Sequence, residues 1–119
     1  MHPINLTDKL AQIPEPWQPH IIGELNGQHV KLAKLEGEFI WHHHDDADEL
    51  FLIVRGELIM HFRDRDVTLR EGELLIVPRG VEHKPEAPHE AHVLLFEPAG
   101  TLNTGNVRDD RTVDEPERL

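Results

Sequence analysis

Four side chains in two separated segments of this chain have the types and spacing of a mononuclear metal site. In Trp41-His42-His43-His44-Asp45-Asp46-Ala47-Asp48-Glu49, an extended backbone would send the imidazoles of His42 and His44 to one face and His43 to the other, because strand side chains alternate. Glu49 follows an acidic turn and opens the apolar run Leu50-Phe51-Leu52-Ile53-Val54, which could bring a carboxylate to the same centre. His83, closing the segment Pro78-Arg79-Gly80-Val81-Glu82-His83, would add a third imidazole. Three nitrogens and one oxygen suit one divalent transition metal ion per chain, Fe, Mn, Ni, Co, Cu or Zn, and these ligands alone do not choose among them. An ion with a coordination position left open can polarise a bound oxygen, which separates catalytic metals from closed structural ones.

Short strands must carry these ligands. From Ile21 onward the chain breaks into β-rich runs near 28–35, 37–44, 49–55, 57–63, 66–70, 73–77 and 91–97. They are separated by Asn26-Gly27, Glu36-Gly37, Arg55-Gly56, Glu71-Gly72 and Arg79-Gly80, residues that tolerate tight backbone geometry. No long amphipathic helix intervenes, so antiparallel pairing in an all-β barrel or sandwich is expected. Runs that are apolar at nearly every position, such as Leu50 to Val54 and Leu74 to Val77, need cover on both faces. Before Ile21, Leu6, Leu10 and Ile13 recur at helical spacing, with Asn5 or Thr7 as cap and Pro14 as stop.

The two ligand segments also resemble the paired motifs of the cupins, small double-stranded β-helix (jelly-roll) barrels. Gly37, His42, His44, Glu49 and Gly56 follow the first motif, with the Gly37 to His42 gap one residue short; Gly72, Pro78, Gly80 and His83 follow the second, with Ala87 where the family carries asparagine. The resemblance extends to single-domain cupins described as mannose-6-phosphate-isomerase-like. It implies a cupin barrel over 21–107, preceded by a helix and arm over 1–20 and followed by an acidic C-terminal tail over 108–119. It also implies His42, His44, Glu49 and His83 as metal ligands.

Composition bounds the partners. Twenty-three acidic against 12 basic residues give a net charge of −11, the opposite of the basic footprint that nucleic acid or an anionic membrane requires. Cysteine is absent, which excludes disulfides, thiolate nucleophiles and sulfur ligation. The N-terminal residues lack a cationic and apolar signal pattern, so a cytoplasmic location is expected. Phe39, Trp41 and His43 share the strand parity that faces away from the ligands, and this aromatic face predicts a homodimer. The leading functional expectation is a metal-dependent oxidoreductase (dioxygenase), isomerase or lyase acting on a small oxygenated compound. The alternative is a non-catalytic module that binds or senses a small molecule or sugar. No catalytic base can be named: tyrosine is absent, and the spare histidines and acids have no assigned place around the cavity.

Overall fold

A computed structural model describes all 119 residues. One short helix and seven strands follow in the order α1 (Leu6–Leu10), β1 (His20–Leu25), β2 (Gln28–Glu38), β3 (Glu49–Arg55), β4 (Glu57–Phe62), β5 (Asp66–Arg70), β6 (Leu74–Val77) and β7 (His83–Pro98). All the ladders are antiparallel, and the architecture is the all-β, double-stranded β-helix barrel with a short N-terminal helix. No helix is long and apolar enough to cross a membrane.

The strand β7 organises the barrel. Its later half pairs with β2 on one side and β3 on the other, while its first residues, His83 to Glu86, pair with β4. A straight strand of 16 residues would run about 50 Å, longer than the 42 Å longest axis of the molecule. The strand therefore bends. The bend is at Pro88-His89-Glu90, three exposed residues inserted where Ala87 and Ala91 of β7 face Gly37 and Leu35 of β2. On either side of it, alternate residues stay buried, from His83, Pro85 and Ala87 to Ala91, Val93, Leu95 and Glu97.

Two apolar clusters cover the two faces of the sheet, as the doubly apolar runs require. Inside the barrel, Phe51, Ile53, Leu58, Met60, Val77 and Val93 belong to a core of 12 buried residues. Outside, Leu10 and Ile13 of the N-terminal segment pack on Ile22 and Leu32. The helix is capped by Asn5, whose side-chain oxygen accepts from the Asp8 N–H at 3.0 Å.

Three elements differ from the sequence expectation. The runs near 28–35 and 37–44 form one strand that ends at Glu38, with a register shift between Leu35 and Gly37. Residues 39–48 then leave the sheet, and His42 keeps only an isolated bridge to His83. The expected run at 91–97 is the second half of β7, whose first half is disguised by Pro85 and Pro88, residues that ordinarily demote a strand. Strand β1 carries Gly23 and gave no clear period; it pairs with β2 through a bulge between Ile21 and Gly23.

Candidate metal centre

The structure brings His42, His44, Glu49 and His83 together as a buried group whose ligand atoms all lie within 4.8 Å of one another. Nε2 of His44 is 3.3 Å and Nε2 of His83 is 3.4 Å from the same oxygen, Oε1 of Glu49. The elements converge for local reasons. Glu49 is the first residue of β3, and His83 is the first of β7. His42 is tied to His83 by reciprocal backbone bonds, His42 N–H to His83 O at 3.0 Å and His83 N–H to His42 O at 2.9 Å.

Two of the imidazoles are oriented by their own backbone. Nδ1 of His42 meets the Ile40 carbonyl and Nδ1 of His83 meets the Val81 carbonyl, each at 2.9 Å and each two residues back. A carbonyl only accepts, so Nδ1 carries the proton in both rings and Nε2 keeps its lone pair for a ligand bond. Such partners commonly fix the tautomer of metal-binding histidines.

Nε2 of His44, Oε1 of Glu49 and Nε2 of His83 are all buried with no hydrogen-bond partner. Each orphaned polar atom costs about 1–3 kcal/mol, and a folded chain rarely gathers several in one place. A cation sharing their lone pairs removes that cost, so the donor set fits a divalent transition metal. The titration behaviour agrees. Burial, then the neighbouring His83, lowers the His42 pKa from 6.5 to about 4, which keeps the ring neutral. Burial pushes the Glu49 carboxyl up, but the imidazoles of His44 and His83 outweigh it and hold Glu49 well below the usual carboxylate range.

A segment after the barrel braces this group. Asn106 grips His43 from both sides: its Oδ1 accepts the His43 N–H at 2.8 Å and its own N–H donates to the His43 carbonyl at 3.0 Å. Gly105 passes so close that a Cβ there would stand 2.2 Å from the His43 carbonyl oxygen and 3.2 Å from Cδ2 of His42. The acidic stretch 108–119 runs back over the barrel, where the Leu119 N–H donates to the Ile21 carbonyl at 2.9 Å.

The remaining sequence candidates have plainer places. His43 faces outward with Nε2 3.0 Å from Asp45. Arg79, a residue of the Pro78 to His83 segment, meets Asp48 through both its backbone N–H and its Nε. His61 is clamped between Asp66 and Glu86, each at 2.7 Å. Phe39 does not share an outward face with Trp41 and His43. It is buried, stacks on Trp17 at 4.7 Å and meets the His42 ring edge-on at 5.5 Å, because the chain leaves the ladder after Glu38 and strand parity no longer applies.

Beside the four ligands lies a small cavity of about 50 Å³, lined by Trp17, Phe39, Phe51 and Leu95 together with His42, Glu49 and Glu97. Trp17 is fixed there despite a left-handed φ of 64°; its Nε1–H donates to the Glu36 carbonyl and its N–H to the Lys34 carbonyl, both at 2.8 Å. Sequence reasoning missed the buried pair Lys31 and Glu97, joined at 2.8 Å and almost fully enclosed. Burial and the adjacent Glu49 carboxylate raise the Glu97 pKa well above the usual range, against the pull of Lys31. Strand parity carried the signal: Lys31 alternates with Ala33 and Leu35, and Glu97 with Leu95 and Val93.

An antiparallel double-stranded β-helix with a buried His₃Glu group beside an apolar pocket defines a small-barrel protein equipped for a metal. The chain belongs to the cupin domain family, whose model matches residues 28–97. It is 37% identical over 81 residues to the uncharacterized protein YdbB of Bacillus subtilis, covering 67% of this chain and 72% of that one. It is 31% identical over 65 residues to a 3-hydroxyanthranilate 3,4-dioxygenase of Brucella anthropi, covering 49% of this chain but only 36% of the enzyme. The crystal structure of a cupin-2 domain containing protein from Shewanella frigidimarina superposes with a TM-score of 0.79 at 45% identity, over 80% of this chain and 93% of that one.

Proposed function

We propose that this protein is a metal-dependent cupin enzyme that binds one divalent transition ion through His42, His44, Glu49 and His83 and acts on a small oxygenated compound. Among the dioxygenase, isomerase and lyase reactions open to such a centre, dioxygenation of a hydroxylated aromatic compound is the leading reading. The observation that carries the proposal is the cluster of three orphaned ligand atoms facing one another beside an apolar cavity. The partial similarity to a 3-hydroxyanthranilate 3,4-dioxygenase supports the choice of an oxygen-dependent reaction on a ring.

A redox-active ion held here supplies electron exchange with dioxygen, and a redox-inert ion would supply Lewis-acid polarisation of a substrate oxygen. The chain does the rest. Ile40 and Val81 keep His42 and His83 in the ligating tautomer, while Trp17, Phe39, Phe51 and Leu95 exclude water from the space beside them. No arginine or lysine lines this cavity, and Arg79 is committed to Asp48. The cavity therefore suits a neutral or singly charged compound better than a phosphosugar, and the mannose-6-phosphate-isomerase-like resemblance is carried as a description of the barrel.

The proposal keeps the homodimer and the cytoplasmic location. Leu74 and Ile76, both more than half exposed on the edge strand β6, are the observation that favours a second copy; light scattering at the monomer mass across a wide concentration range would end that part. Lack of cysteine removes any need for an oxidising compartment.

Metal content of protein purified without a chelating column tests the centre first. The iron(II)-loaded protein is then offered a panel of hydroxylated aromatics in an oxygen electrode. Metal-dependent oxygen uptake with ring-opened product is the expected result. Saturable spectral shifts without oxygen uptake or any other product would instead establish the non-catalytic binding module.

A further inference from the structure

The cavity beside the ligand group is smaller than the compound it is read to hold. Its volume is about 50 Å³, whereas a cavity of roughly 150 Å³ takes up one benzene ring. A ring of that size reaches the ligands only if part of the wall moves. Most of the wall is fixed. Leu35 of β2, Phe51 of β3 and Leu95 of β7 stand inside ladders. Off the ladders, the Phe39 N–H donates to the Pro85 carbonyl at 2.9 Å. The Asn103 side chain is held by the Arg111 carbonyl and the Val113 N–H, each at 2.9 Å.

Trp17 is attached differently. It belongs to the arm 14–19, in which Pro14, Glu15, Pro16 and Gln18 are exposed. Pro14, Pro16 and Pro19 have no N–H to give, and the arm makes a single backbone hydrogen bond to the barrel, from the Trp17 N–H to the Lys34 carbonyl at 2.8 Å. The indole supplies the other attachments, its Nε1–H on the Glu36 carbonyl at 2.8 Å and its face on Phe39 at 4.7 Å. Both ends of the arm are anchored: Nζ of Lys34 donates to the Ile13 carbonyl at 2.8 Å, and His20 pairs with Leu32 as β1 begins. The φ of 64° at Trp17 is one that a bulky residue adopts only under constraint. Release of the indole relaxes that backbone, which offsets part of the cost of two lost hydrogen bonds.

We propose that Trp17 is a door to the cavity. The arm pivots between Ile13 and His20, the indole leaves Phe39, and the space it vacates joins the cavity beside His42 and Glu49. Return of the indole then covers what has entered. The inference deepens the reading of this cavity as the binding site and rests on it: Trp17 is a specificity-determining residue that sets the size of neutral compound able to reach the ligands.

The first measurement needs no ion. In metal-free Trp41→Phe protein, Trp17 is the one indole left, and hydrogen exchange of its Nε1–H and backbone N–H is followed by NMR. Both should exchange at least about 100-fold faster, relative to unprotected groups, than the N–H groups of Val93 and Leu94 in a strand paired on both sides. The two Trp17 sites should report one opening, with protection factors that agree within about threefold.

The second measurement asks whether that opening admits a molecule. Imidazole, a ring that ligates cobalt(II), is mixed with cobalt(II)-loaded protein in stopped flow at a pH where it is uncharged, and association is read from the cobalt absorption bands. Trp17→Ala removes the door and should raise the rate by about thirtyfold or more, the combined scale of a hydrogen bond and an aromatic stack. Trp17→Phe keeps a ring on Phe39 and lacks the indole N–H, so it should raise the rate by about threefold to tenfold, and it carries the test if the alanine variant does not fold.

Protection of Trp17 equal to that of β7 would overturn the proposal, since the indole would then leave only when the barrel unfolds. A rate unchanged by the substitutions would overturn it too, because imidazole would be reaching the ion from another side, as would absence of imidazole binding to the cobalt-loaded variants. Failure of wild type to bind cobalt would instead remove the metal-centre reading, and the exchange measurement would still decide whether the door opens.

Discussion

The molecule buries one histidine cluster and displays another, and the two are completed in opposite ways. His61 on β4 lies between Asp66 and Glu86 with both ring nitrogens paired at 2.7 Å, and its partners remain 61% and 29% exposed. His42, His44 and His83 are buried with Glu49, yet three of the group's atoms lack any partner. A satisfied cluster near solvent holds the surface of the barrel together. An unsatisfied cluster in the interior has the donor set of an ion site, because a cation sharing those lone pairs would offset the cost of leaving the atoms unpaired.

The sharpest way to break the comparison is to remove ligands. Glu49→Ala and His83→Ala should reduce metal content from about one ion per chain to near background by elemental analysis, while far-ultraviolet circular dichroism stays β-rich. His43→Ala, whose ring faces Asp45, should retain the ion. Retention of metal by both ligand variants would dissolve the distinction between the clusters.

The brace behind the buried cluster gives the next largest effect. Gly105→Ala places a Cβ 2.2 Å from the His43 carbonyl oxygen at a φ of +57°, and it should destabilise by about 3 kcal/mol in urea unfolding, as strain and backbone displacement add. Gly80→Ala shares a positive φ of +80° but has nothing within 4 Å of its added Cβ, so it should cost only about 1 kcal/mol. Equal costs would show that Gly105 is not a close-packed brace.

The pH responses of the two clusters should have opposite signs. His42 of the metal-free protein titrates at about 4 when folded and 6.5 when free, so its contribution to stability is present above pH 6.5 and is lost as pH falls from there toward 4. The loss is on the order of 2–3 kcal/mol. His61 is raised above 6.5 by Glu86 and then Asp66; its contribution is present below 6.5 and is lost as pH rises through the raised value. Solvent screening of its exposed partners limits that effect to about 0.5 kcal/mol. Unfolding midpoints of chelator-treated wild type and His61→Gln between pH 4 and 9 would measure both, and a His61→Gln difference that grows above neutrality would contradict the second sign.

Much of this arrangement was legible in the residues. The spacing of His42, His44, Glu49 and His83 in the two motifs announced the group that the structure gathers, and the expected runs at 49–55 and 66–70 coincide with β3 and β5. What escaped was whatever depends on chain contacts rather than on local period. The tautomer-setting groups are the carbonyls of Ile40 and Val81, and a backbone carbonyl leaves no mark in a sequence. Phe39 entered the cavity because the ladder stops at Glu38. Asn106 reached His43 across 63 positions, a contact no residue pattern encodes. Lys31 and Glu97 obeyed strand parity but were hidden by the habit of treating charges as surface.

The bend in β7 divides the chain into two inheritable parts. Pro88, His89 and Glu90 form an exposed seam. All four ligands precede it, while Glu97 and the Gly105-Asn106 brace follow it. Recombination at that seam would keep the ligand group together with Trp17, Phe39 and Phe51 and would renew only the Leu95, Glu97 and Asn103 part of the cavity wall, so this barrel could retune one side of its pocket without rebuilding the centre.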